Sequence, residues 1–289
     1  MTDIRIVPCA RRDCLGEGPL WEAAGNALYW VDISGKRLNR LSLADDRIDS
    51  WPVPEMVGWL VARRDAPGFL AGAVSGVKAV TFDPFSFSCF TELPGHPEGN
   101  RLNDAKADSA GNIWAGSMPF GGDRPDGSLY RIDPQGDVIV VDRGYYVANG
   151  PAISVDGAWL FHTDTRLGHV YRFALEHGRL GARELWLKFR PEWGSPDGMT
   201  FDAEGGLWIA HWGGARVTRF DPDGLAERTI ALPAARITSM AFAGAGLDRM
   251  FVTSAQPDAG GADELDQGGA LFEVDPGVRG LPPHRFGRG

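Results

Sequence analysis

The chain has 289 residues, of which 43% are hydrophobic, 10% aromatic and 23% charged, enough for a sizeable core and incompatible with a disordered chain. Asp and Glu (38) outnumber Lys and Arg (29), and the net charge of −9 repels phosphate backbones and anionic lipid heads. No nucleic acid and no membrane are therefore expected as partners.

The N-terminal Met1-Thr2-Asp3-Ile4-Arg5 has no basic stretch leading into an apolar one, and no apolar run approaches the ~18 residues that span a bilayer. Cys9, Cys14 and Cys89 form no C-x-x-C pair, so reduced thiols and a cytoplasmic location are expected. Cys14 reads as a small buried thiol.

The first apolar stretch, Ile4-Arg5-Ile6-Val7, stands apart from the rest of the chain. Short runs then recur at a steady interval: Leu28-Tyr29-Trp30, Phe69-Leu70-Ala71, Ile113-Trp114-Ala115, Trp159-Leu160-Phe161, Leu207-Trp208-Ile209 and Met250-Phe251-Val252. Their first residues lie 41, 44, 46, 48 and 43 positions apart. Each is succeeded by an apolar pair three residues apart: Leu38/Leu41, Ala79/Phe82, Leu129/Ile132, Val170/Phe173, Val217/Phe220 and Leu271/Val274. The third and sixth repeats carry loop insertions, roughly at 119–126 and 256–268. Gly (39) and Pro (20) interrupt every window long enough to hold a helical period. Six units of this length match the blades of a propeller, so the spacing predicts an all-β, six-bladed β-propeller with four-stranded antiparallel blades, built from 1–289 as one domain. Ile4–Val7 then supplies the outer strand of the last blade and closes the ring.

About ten residues before each marker run stand Glu17, Trp59, Asn103, Asn149, Asp197 and Met240. Four of them lie eight residues before a glycine: Gly25, Gly111, Gly157 and Gly205. In a propeller, residues of equal phase on the innermost strands converge on the axial channel. Any one of Glu17-Gly18, Asn149-Gly150 or Asp197-Gly198 could be an ordinary turn. Together they predict a site in which Glu, Asp and Asn oxygens surround one divalent cation, which offsets the repulsion between the carboxylates. Such a donor set suits Ca²⁺, Mg²⁺ or Mn²⁺, with Zn²⁺ or Fe²⁺ also possible. Arg101, two residues from Asn103 on an extended segment, points to the same side, and Asp104 to the opposite one, where it would hold a turn or a backbone amide. Trp59 either stacks on a ligand or fills the channel wall. His162 and His211 have no second His nearby in sequence and read as core or strand-end histidines.

These segments resemble the family of senescence marker protein (regucalcin) and bacterial gluconolactonases. The matching stretches are Leu15-Gly16-Glu17-Gly18-Pro19-Leu20-Trp21, Arg101-Leu102-Asn103-Asp104-Ala105-Lys106, Asn149-Gly150-Pro151 and Pro196-Asp197-Gly198-Met199, in order along the whole chain. The resemblance implies a six-bladed propeller that hydrolyses a sugar lactone with one divalent cation at the channel mouth. It implies Glu17, Asn149 and Asp197 as metal ligands, Arg101 and Asn103 as substrate contacts, and Asp197 as the catalytic acid/base. Some members also use a glutamate after the central strand of blade 3. Here that stretch is Met118-Pro119-Phe120-Gly121-Gly122-Asp123 and has none, which implies a different sugar preference. The competing readings are a related propeller esterase or phosphotriesterase, and a non-catalytic calcium-binding or protein-interaction propeller.

Overall fold

The computed structural model describes residues 3–257 and 266–288. It is a six-bladed β-propeller. Blades 1 to 6 begin with the innermost strands Gly16–Glu22, Val57–Ala62, Asn100–Ala107, Ala148–Ile153, Ser195–Phe201 and Ile237–Ala243. Every sequence marker run falls on the second strand of its blade, between Ala27–Asp32 and Arg249–Ser254. The two-residue strand Arg179–Leu180 pairs with the outer end of the third strand of blade 4 as an addition to the four-stranded plan. The sixth-blade insertion lies largely outside the described residues.

The ring closes as the orphan N-terminal stretch predicts. Ile4–Ile6 pairs antiparallel with Phe272–Val274, Ile4 opposite Val274, so one blade takes strands from both ends of the chain. The cores lie between blades, because each sheet must bury both faces. Trp208, Ala210 and Met240 pack blade 5 on blade 6, while Tyr29, Leu60 and Phe69 pack blade 1 on blade 2. Full burial of side chains such as Trp208 and Trp114 is worth roughly 1.5–3 kcal/mol each.

Two blades share a fastening that also sets the indole orientation. Asp108 Oδ2 accepts from Trp114 Nε1 (2.9 Å), and Asp202 Oδ2 accepts from Trp208 Nε1 (2.8 Å). Each Asp ends the inner strand and also holds the hairpin amides, so one carboxylate joins two strands and a turn.

Candidate functional site at the channel mouth

Every innermost strand slips register near its start, and the length of the slip separates the blades. Blades 2 and 6 leave one residue unpaired, Gly58 and Thr238. Blades 1, 3, 4 and 5 leave two: Gly18-Pro19, Asn103-Asp104, Gly150-Pro151 and Asp197-Gly198. The four polar phase residues lie in or directly before these longer bulges. A bulge bends its strand and re-aims side chains, here toward the axis. Gly18 (φ +52°) and Gly150 (φ +69°) meet the backbone demand, and a Cβ on Gly150 would lie 2.5 Å from Met199 Cε.

Glu17, Asn103, Asn149 and Asp197 are all buried. The structure brings the Glu17 and Asp197 carboxyls into hydrogen-bonding range of each other, and Gly18 N–H donates to Glu17 Oε2 (2.9 Å). Burial, followed by the Asp104 charge, pushes Glu17 up to about 8. Burial and then the neighbouring Glu17 push Asp197 well above the usual carboxylate range. Arg101 is buried beside them, and desolvation lowers it to about 10 against the pull of Glu17 and Asp197. Its Nη1 donates to Asn103 Oδ1 (2.5 Å), while Asn103 Nδ2 donates to Asn149 Oδ1 (2.8 Å). Arg101 is paired with Met118 on the second strand of blade 3, Ile113–Pro119.

Three expectations need correction. Asp104 does not turn away from the axis, because the two-residue bulge breaks the alternation that assigned it to the other side. It lines the axial channel and adds negative charge near Glu17 and Asp197, while the expected hold on backbone amides is present, from Ala105 (2.7 Å) and Gly150. Burial raises it to about 6. Met240 does not reach the axis. The bulge of blade 6 falls at Thr238, so Met240 packs into the blade 5–6 core. Cys14 is exposed, not buried, as are Cys9 and Cys89.

Trp59 fills the wall: it is buried, and a Cβ on Gly72 would lie 2.1 Å from its indole. His162 and His211 are core residues, held neutral by burial that lowers them to about 3 and about 4. Beyond the site, toward the far ends of the inner strands, the channel holds a cavity of about 120 Å³ lined by Trp59, Asp104, Lys106 and His284 among others.

The donor set fits a divalent cation. Asp197 Oδ1 is buried without a hydrogen-bond partner, and two carboxyls that face each other across a buried mouth need a proton or a cation between them. Among the described residues no three His, Cys, Asp or Glu side chains cluster around one point, so a third oxygen ligand would have to come from an amide such as that of Asn149.

The sequence matches the family described as SMP-30/Gluconolactonase/LRE-like region over residues 15–256. The chain belongs to this family. It is 35% identical to pentonolactonase XacC of Haloferax volcanii over 295 residues, covering 99% of this chain and 98% of that protein. A 6-deoxy-6-sulfogluconolactonase of Pseudomonas putida is 36% identical, with 87% of this chain and 86% of the relative covered. Among solved structures, the calcium-binding protein regucalcin of Agrobacterium tumefaciens superposes with a TM-score of 0.91 at 27% identity, covering 99% of this chain and 97% of that one.

Proposed function

We propose that this member of the family hydrolyses a sugar lactone to its aldonic acid, using one divalent cation held by Glu17, Asn149 and Asp197. The observation that carries the reading is the pair of facing buried carboxyls, with Asp197 Oδ1 left unpartnered at the mouth of a channel. Two relatives over most of the chain length carry lactonase names, which supports a cyclic sugar ester as substrate. When bound, the cation would supply Lewis acidity toward the ester carbonyl and charge to offset the developing oxyanion.

The chain's own groups account for the remaining work. The Arg101 fork holds lactone oxygens beside the carboxyl pair. Asp197, as carboxylate, accepts a proton from the attacking water as the new C–O bond forms at the carbonyl carbon. It then returns that proton to the ring oxygen as the ring C–O bond breaks, so one water is consumed and Asp197 is regenerated. The Met118–Asp123 stretch, with Phe120 half exposed beside the Arg101 strand, shapes the sugar preference. The domain is read as a single catalytic unit.

A pH-indicator assay with gluconolactone, xylonolactone and arabinonolactone, with and without a chelator, tests this reading. Acid release above the spontaneous rate that the chelator abolishes supports it. Cation uptake without turnover of any ester would instead assign the chain to a calcium-binding role.

A further inference from the structure

Four side chains from blades 3 and 4 form one hydrogen-bonded chain. Arg101 Nη1 donates to Asn103 Oδ1 (2.5 Å). Asn103 Nδ2 donates to Ala148 O (2.7 Å) and Asn149 Oδ1 (2.8 Å), and Asn149 Nδ2 donates to Thr165 Oγ1 (3.0 Å). The two ends of an Asn amide are nearly equal in shape and opposite in function, since only the oxygen can bind a cation. Which end faces the cation is therefore decided by the neighbours.

Each neighbour removes one choice. A guanidinium carries only donors, so the end of Asn103 that meets Arg101 must be oxygen. A backbone carbonyl only accepts, so the end that meets Ala148 must be the NH₂ group. With Asn103 fixed at both ends, it presents an N–H to Asn149, and only the Asn149 oxygen can receive it. The Thr165 hydroxyl can donate or accept, so it takes the N–H that remains. Thr165 is itself anchored, its backbone N–H donating to Val147 O (2.9 Å).

We infer that Asn103 and Thr165 are positioning residues that hold the amide of Asn149 in one sense, leaving a lone pair of its Oδ1 for the cation. The inference rests on the reading of Asn149 as a cation ligand. It gives Asn103 a task that does not depend on substrate, because both ends of its amide are already engaged within the protein.

The test is calorimetric titration of the full-length, substrate-free protein with Ca²⁺ and, in parallel, Mn²⁺. Asn103→Ala and Thr165→Val should each raise the dissociation constant about 10–100-fold, the usual loss when a partner of a metal ligand is removed. Thr165→Ser, which keeps the acceptor, should bind within about two-fold of wild type, on the scale of losing only a methyl group beside an intact hydrogen bond. Should Asn103→Ala fail to fold by circular dichroism, Thr165→Val decides alone, since its shape is conserved. Unchanged cation affinity in the variants, with only KM raised, overturns the inference and leaves Asn103 as a substrate contact. A wild-type protein that takes up neither cation overturns the ligand reading itself, and the inference with it.

Discussion

Glu17 on blade 1 and Asp197 on blade 5 face each other across the channel mouth closely enough to share a hydrogen bond. Two buried carboxyls in that relation cannot both ionise without a counter-charge. Arg101 is the cation beside Glu17 and Asp197, and Lys106 offsets Asp104, so two cations face three carboxyls. The site is thus short of positive charge, which is the condition a divalent ion relieves.

Removing either carboxylate should separate activity from stability. Glu17→Gln and Asp197→Asn are each expected to reduce lactone hydrolysis to the spontaneous rate. In chelator, their melting temperatures should equal or exceed that of wild type, because a buried like-charge pair has been relieved. Asp197→Asn should be more damaging than Asn149→Ala, since Asp197 also moves the proton. Near-normal kcat in Asp197→Asn would remove the acid/base role.

The pH dependence of the cation-free protein follows from Glu17, whose value of about 8 lies above its ordinary 4.5. The folded state keeps a proton that the unfolded chain releases above 4.5, so this contribution to stability is full below that pH. It is lost as pH rises toward 8. Thermal melts in chelator should therefore show wild type losing several degrees relative to Glu17→Gln between about pH 5 and 8.5. Parallel profiles for the two proteins would contradict it.

A cation that binds only the folded state stabilises it by RT ln(1 + [L]/Kd), about 2.7 kcal/mol at ~100-fold excess over Kd. For a chain of this size, at on the order of 2–4 °C per kcal/mol, that corresponds to a rise in Tm of roughly 5–10 °C. Scanning calorimetry with and without chelator reads it directly, and identical Tm values would argue against a bound ion.

Arg101→Ala should raise KM and spare kcat if the guanidinium holds the lactone equally in ground and transition states. A common fall in kcat and kcat/KM of ~10²-fold or more would place it on the developing oxyanion instead. Arg101→Lys should rescue poorly, because an ammonium cannot reproduce the planar fork. Full kinetics on both variants distinguish the outcomes.

Far from the site, Asp202→Ala should destabilise the fold without changing KM. Asp202 is wholly buried and accepts from Gly206 N, Glu204 N, Trp208 Nε1 and Arg219 Nε, so its loss strands several donors. The expected cost is about 3–5 kcal/mol, read from denaturant unfolding.

The propeller was legible in the sequence because its cause is periodic. Each blade must bury both faces, so the Leu28, Ile113 and Leu207 runs repeat at blade length, and Ile4–Ile6 stands out as a strand with no blade of its own. The phase of Glu17, Asn103, Asn149 and Asp197 was legible for the same reason: one position on a repeated strand maps to one height on the axis. Only the tertiary structure decided how many residues each bulge leaves unpaired. Strand alternation sends neighbouring residues to opposite faces, and a two-residue bulge suspends that rule, which is why Asp104 faces the channel beside Asn103. In blade 6 the shorter slip at Thr238 carries Met240 into the core. Thr165 had no sequence signal at all, since its meaning comes from Asn149 and, through Asn103, from an arginine on the neighbouring blade. A period in sequence fixes position along a strand, whereas the direction of a side chain near a bulge depends on hydrogen bonds between strands and blades that form only when the ring closes.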